Sequence, residues 1–215
     1  DIYWYNTSTG LLSYTALDNN FQSQTIHTLS LGNGSEVATH FLPGHFSQIN
    51  ALEELVYIKE ITNGNLADYT VQVLVNNNGT LALGFNHNYT GSQHQAFFVG
   101  NFTNGDNWSD IAILPGDCCI YLLPNVSGNA FTNLSIWQSG LTPAPTSVFT
   151  AAAGNFHLTN AKSDLLLLQT APQAAPYLGE AYLAQNTASN SFNLLDAIIT
   201  KPCGQNPIQT ASNGY

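Results

Sequence analysis

Gly100-Asn101-Phe102-Thr103-Asn104-Gly105-Asp106-Asn107-Trp108-Ser109-Asp110, running into the apolar stretch Ile111 to Leu114, decides how the chain is read. Two other stretches share its form. Gly44-His45-Phe46 leads to Glu54, ten residues beyond its glycine, and then to Leu55-Val56-Tyr57-Ile58. Gly154-Asn155-Phe156 leads to Asp164 at the same distance, and then to Leu165 through Leu168. The glycines are 56 and 54 residues apart, and the opening Asp1-Ile2-Tyr3-Trp4-Tyr5 has the form of the segment that follows each loop. The acids Asp1, Glu54, Asp110 and Asp164 therefore mark four repeat starts, and a period in this range is the signature of a propeller or another array.

Between these marks the sequence reads as strand. β-Branched and aromatic runs of four to eight residues alternate with Asn/Gly/Ser/Pro clusters, and no stretch keeps a helical period. Each repeat holds four such runs. In the first they are 2–5, 11–17, 25–31 and 37–42; in the second 55–61, 69–75, 80–85 and 95–99. In the third they are 111–114, 119–123, 134–138 and 147–152; in the fourth 165–169, 181–185, 192–199 and a weak 208–210. Asn78-Gly79, between the middle runs of the second repeat, is a hairpin turn signal. The fold class expected is all-β: four propeller blades of four strands, with repeats 1–53, 54–109, 110–163 and 164–202 and a tail 203–215. The ring is either complete at four blades or part of a larger one. Runs such as Ile111 to Leu114 lack polar alternation, as strands covered on both faces do, and Trp4 is expected in the core. Glycine gives the turn out of one blade, and the phenylalanine is expected to fill the gap to the next.

Gly-x-Phe, a polar loop, an acid and an aliphatic strand together resemble the FG-GAP or VCBS-type repeat, the family of integrin-α-like propellers and fungal propeller lectins. The likeness spans all four repeats. It implies a propeller fold and, because the family's loops alternate Asp/Asn with glycine to bind calcium, it makes Asn101, Asn104, Asp106 and Asp110 a candidate calcium set. The chain departs from the family: its acid stands ten residues after the glycine rather than nine. Calcium takes six to eight oxygen ligands. The other loops are poorer sets, with Gln48, Asn50, Glu53 and Glu54 in one and Asn155, Asn160 and Asp164 in the other. The alternative is metal-free loops held by Asx-type hydrogen bonds.

Composition narrows the partners. Charged residues are 7% of 215, with three lysines or arginines against 13 acids, a net charge of -10. Such a surface repels nucleic-acid backbones and anionic membranes. No run approaches the roughly 18 apolar residues of a membrane helix. The chain lacks Met, including an initiator, and reads as a mature or excised segment of a secreted protein. Its 25 asparagines include eight Asn-x-Ser/Thr sequons, at Asn6, Asn33, Asn78, Asn88, Asn101, Asn107, Asn125 and Asn133. They point to a secreted glycoprotein. Cys118, Cys119 and Cys203 are disulfide candidates, either as one of the adjacent pair bridged to Cys203 or as a vicinal bridge.

Other chemistry has little support in the sequence. Glu53 and Glu54 are adjacent, so on a strand they face opposite sides and make a poor acid/base pair. The six histidines show no metal spacing, and no nucleophile elbow or phosphate loop is present. Trp108 and Trp137 are sugar-stacking candidates, with Trp108 alternatively folded over a blade edge. The expected function is non-enzymatic: an extracellular or cell-surface module for adhesion or assembly, with a protein partner or self-association, a filament or coat subunit being one form of it. A carbohydrate-binding propeller lectin is the alternative, and a carbohydrate-active hydrolase a distant one.

Overall fold

A computed structural model describes residues 2–15, 20, 22, 25–32, 38–49, 53–103, 107–115, 119–138, 148–156, 162–170, 179–187, 192–199 and 209–210. Among them the chain is all-β, without a helix, in several antiparallel sheets. It divides into two compact units, Asp1–Gln93 with Val126–Phe131 and His94–Asn125 with Thr132–Tyr215.

The first unit holds two sheets. One has the order β1-β2-β3, built of β1 (Ile2–Asn6), β2 (Leu11–Thr15) and β3 (His27–Ser30). The other has the order β4-β5-β6-β7, built of β4 (Ala38–Gly44), β5 (Glu54–Asn63), β6 (Leu66–Asn77) and β7 (Thr80–Ser92). Burial along β6 explains its sequence. From Leu66 to Tyr69 buried and exposed residues alternate, and from Val71 to Asn76 all are buried. One half of the strand is covered on a single face and the other half on both. Asn78 (φ 52°) and Gly79 (φ 89°) form a two-residue turn between Asn77 and Thr80, the type I′ geometry that Asn-Gly favours. The core joins Leu12, Tyr14 and Leu31 to Leu55, Tyr57, Leu74 and Leu81. The Leu81 N–H donates to the Tyr14 hydroxyl at 2.7 Å, tying one sheet to the other.

In the second unit β8 (Ala96–Gly100), β9 (Asp110–Leu114), β10 (Ile120–Leu123) and β13 (Ser135–Gln138) form a sheet in the order β8-β9-β10-β13. In chain order a short hairpin, β11 (Asn125–Val126) with β12 (Ala130–Phe131), follows β10, and its residues from Val126 onward belong to the first unit. The remaining sheet runs in chain order through β14 (Val148–Gly154), β15 (Asp164–Thr170), β16 (Gly179–Asn186), β17 (Phe192–Ile199) and β18 (Gln209–Thr210). Ala112, Leu114, Ile120 and Leu122 of one sheet pack with Leu165, Leu167 and Ala184 of the other.

Three expectations need correction. The run at 37–42, assigned to the end of the first repeat, pairs instead with β5, and the runs at 95–99 and 147–152 likewise pair with β9 and β15. Each Gly-x-Phe loop therefore joins neighbouring strands of one sheet rather than leaving a sheet. Trp4 is not core: it is 42% exposed, on an edge strand. Phe156 is 46% exposed, whereas Phe46 and Phe102 are buried. Phe46 meets Phe131 edge-on at 6.2 Å, and Phe102 meets Phe192 at the same distance. No such ring contact is recorded for Phe156 among the described residues. The sheets are shown; a closed ring is not.

Candidate functional site: the Gly-x-Phe loops and their carboxylates

Among the described residues the Gly-x-Phe loop with its acid recurs three times, and strand register builds it. In all three copies the glycine stands directly opposite the acid across the ladder: Gly44 opposite Glu54, Gly100 opposite Asp110 and Gly154 opposite Asp164. The acid is buried each time, at 2% exposure for Glu54 and 0% for Asp110 and Asp164. A buried carboxylate needs donors, and the loop's own backbone supplies them.

Asp110 is the fullest case. Its Oδ2 accepts from the Phe102 N–H (2.9 Å), the Thr103 N–H (2.8 Å) and the Thr103 hydroxyl (3.0 Å), and its Oδ1 accepts from the Asn125 N–H (2.8 Å). Glu54 repeats this with the Phe46 N–H (2.9 Å), the Ser47 N–H (2.6 Å) and the Ser47 hydroxyl. Asp164 accepts from the Phe156 N–H (2.9 Å) and the Asn186 N–H (2.8 Å). Burial pushes the Asp110 carboxyl above its ordinary value, and the hydrogen bonds from Asn125, Thr103 and Phe102 work against that rise.

An asparagine completes each clamp, and the sequence reading missed it. The side-chain amides of Asn76, Asn125 and Asn186 donate to the carbonyls of Glu53, Ser109 and Ser163, the residues just before the acids (3.2, 3.3 and 3.1 Å). Asn186 also donates to the Phe102 carbonyl at 3.0 Å, bridging the two sheets of its unit. The bridge is reinforced where the Ser163 N–H donates to the Asn101 carbonyl (2.6 Å) and the Asn101 N–H donates to the Ser163 hydroxyl (2.9 Å). A signal was present in Asn125-Val-Ser-Gly-Asn-Ala-Phe131 and Asn186-Thr-Ala-Ser-Asn-Ser-Phe192, which share Asn, Asn and Phe at the same spacing.

At Asp110 the carboxylate of the candidate calcium set is engaged by backbone and hydroxyl donors. Three donors from the loop fall on Oδ2 and the Asn125 N–H of β11 falls on Oδ1, against the roughly four lone-pair sites that an ionised carboxylate offers. Asn101 is half-buried, and Asn104 and Asp106 lie outside the described residues. No group of three or more His, Cys, Asp or Glu is placed to hold a metal among the described residues. In each loop a backbone N–H group donates to the acid, the kind of contact that the metal-free alternative calls for.

The other candidates disperse. Of the sequons, Asn6, Asn78, Asn88, Asn107 and Asn133 are exposed and Asn33 lies outside the described residues. Asn125 must be withdrawn as a glycan site. It is 1% exposed, and the amide nitrogen a sugar would occupy is the one that donates to Ser109. Trp108 is half-buried in its loop, and Trp137 lies on β13 with its side chain outside the description. Cys119 is half-buried, and its candidate partners Cys118 and Cys203 lie outside the described residues. Glu53, just before β5, is exposed, and Glu54, the first residue of β5, is buried. Tyr3, Pro43, Glu53, Glu54 and Leu55 line a cleft of about 150 Å³, below the roughly 300–1,000 Å³ of ordinary ligand pockets. Burial first, and the nearby Glu53 and Tyr14 next, raise the Tyr3 hydroxyl above its ordinary range. Lys162 is buried, which lowers its ammonium pKa, and its Nζ donates to the Thr187 carbonyl at 3.3 Å.

No protein-family model matches the chain, and no curated protein or solved structure matches it either.

Proposed function

We propose that the chain is a non-enzymatic, N-glycosylated extracellular module, a β-propeller of the FG-GAP type that its loops resemble, serving adhesion or assembly. The observation that carries this reading is the use made of the repeat acids. Glu54, Asp110 and Asp164 each point inward and hold a loop backbone, which is the work of a scaffold. A low-charge surface carrying exposed sequons at Asn6, Asn78, Asn88, Asn107 and Asn133 suits close approach to other molecules. The test is intact mass on protein from its native source, before and after glycosidase treatment. A mass well above 23.1 kDa that falls on deglycosylation supports the reading. A mass unchanged by the enzyme overturns its extracellular part. Glycan-array binding that disappears in Trp108→Ala would replace adhesion or assembly with the lectin alternative.

A further inference from the structure

We propose that the face of the β1-β2-β3 sheet that carries Trp4 is a docking shelf for a sugar linked to Asn6, the first pyranose of an N-glycan lying over the Trp4 indole. The inference deepens the glycoprotein reading and rests on it for the existence of the glycan. It gives one sequon a contact within the fold.

Strand alternation sorts the residues of β1. Tyr3 stacks on Tyr14 at 6.2 Å and Tyr5 meets Phe41 at 5.1 Å, so these two lie on the core side. Ile2, Trp4 and Asn6 share the other face. Register sets Ser13 and then Thr28 across from Trp4, and Leu11 and then Ser30 across from Asn6. Ile2 and Trp4 are 48 and 42% exposed, and Asn6, Thr28 and Ser30 are exposed as well. The face therefore offers one large aromatic surface with hydroxyl side chains in register with it. A pyranose has the matching character, an apolar C–H face with polar hydroxyls around its rim. An indole supplies apolar area to the first and keeps a polar N–H at its own edge.

The turn after β1 presents the amide that carries the sugar. Asn6 Oδ1 accepts from the Ser8 N–H (3.0 Å), the Ser8 hydroxyl (2.7 Å) and the Thr9 N–H (3.3 Å). The Asn6 carbonyl accepts from the N–H groups of Thr9 and Gly10 (3.3 and 2.9 Å). The side-chain amide is planar, so holding Oδ1 toward residues 8 and 9 holds Nδ2 away from them. At Asn125, by contrast, Nδ2 is spent on the Ser109 carbonyl. The linkage forms when Nδ2 attacks the anomeric carbon of a glycosyl diphosphate donor. The Nδ2–C1 bond forms, the C1–O bond breaks with its electron pair leaving on the diphosphate, and Nδ2 gives one proton to a base of the transferase. Residues two apart on a strand stand about 7 Å apart along one face, which brings the first sugar within reach of the Trp4 ring. A tether this short holds the sugar at an effective concentration of millimolar order, so a weak stacking contact suffices. The other exposed sequons lack such a neighbour. Two residues before Asn78, Asn88, Asn107 and Asn133 stand buried Asn76, Asn86, Gly105 and buried Phe131.

The experiment reads occupancy at Asn6 by glycopeptide mass spectrometry on the chain from its native source. The full chain and its variants are then secreted from an N-glycosylating cell line, and an endoglycosidase trims each glycan to its first sugar. Hydroxyl-radical labelling compares Trp4 with Trp108 and Trp137 in the same sample. Asn6 is expected to be occupied. Trp4 is expected to oxidise about twofold more slowly in the trimmed chain than in Asn6→Gln or Ser8→Ala, because a sugar on the ring covers one of its faces. Ser8→Ala keeps Asn6 and removes only the sequon, so agreement of the two bare variants separates the sugar from the turn. Equal Trp4 rates in the trimmed and bare chains overturn the proposal. A bare Asn6 in a native chain glycosylated at other sequons overturns it too, and leaves the glycoprotein reading standing. A native chain without sugar at any sequon overturns both.

Discussion

Removing the Asp110 carboxylate is the sharpest perturbation of the clamp. Asp110→Ala leaves the N–H groups of Phe102, Thr103 and Asn125 and the Thr103 hydroxyl without their acceptor. Thr103 is half-buried and its donors can turn to water, whereas Phe102 and Asn125 are buried. Two orphaned buried donors cost about 1–3 kcal/mol each. The expected loss is therefore roughly 4 kcal/mol, a large part of the roughly 5–15 kcal/mol that holds a domain together. Asp110→Asn keeps one acceptor oxygen, sets an NH₂ against the remaining donors, and is expected to cost about half as much. Glu53→Ala removes an exposed acid and is expected to stay within about 0.5 kcal/mol. Urea denaturation followed by far-ultraviolet circular dichroism, with tryptophan fluorescence as a second probe, reads all three. An Asp110→Ala midpoint equal to that of Glu53→Ala would refute the clamp. So would millimolar calcium that stabilises the parent chain and not Asp110→Ala, since that would make the acid a ligand.

Other perturbations test neighbouring parts of the argument. Because burial raises the Asp110 carboxyl above its ordinary value of 3.8, the folded chain keeps a proton there that the unfolded chain releases. Its contribution to stability is thus full below that value and is lost as pH rises through the raised one. The urea midpoint of the parent relative to Asp110→Asn should fall as pH is raised across this window. Gly100→Ala sets a Cβ 2.7 Å from the Ser163 Oγ and 2.8 Å from its Cβ. A loss of about 1–3 kcal/mol is expected, recovered in part by adding Ser163→Gly, and a double-mutant cycle checks it. Tyr14→Phe deprives the buried Leu81 N–H of its acceptor and should lower stability by about 1–3 kcal/mol, measured by thermal and urea unfolding.

The loop was legible in the sequence because its signal is local. Glycine and acid stand at a fixed spacing, and a strand ladder turns that spacing into a facing pair. The Asn78-Gly79 turn was legible for the same reason, since it needs only two residues with positive φ. Strand membership was less so. The run at 37–42 touches the first repeat in sequence but gains its hydrogen bonds from β5, and apolar periodicity says nothing about which side of a loop a strand joins. Asn76, Asn125 and Asn186 were hidden by variable spacing, since they follow their acids by 22, 15 and 22 residues. Asn125 was hidden further by its sequon, which reads as a surface signal although the residue is buried. Trp4 misled because aromatic strands are usually covered, and a strand's composition does not reveal whether its neighbour is present.

The clamp also divides each sheet into a constant end and an adjustable one. At the constant end, glycine, acid and asparagine fix where three strands begin or stop. Beyond it, hairpin length is unconstrained: β5 and β6 run on for 10 and 12 residues to a turn at Gly64, while β9 and β10 have only 5 and 4. Turn residues 63–65 stand nine residues or more from Glu54 along the chain, and Leu66, beside them, is exposed. Foreign loops, epitopes or tags spliced there would lengthen an arm without entering the clamp. The repeat thus behaves as a mounting plate, with the identity of what is mounted left to the far end of each hairpin.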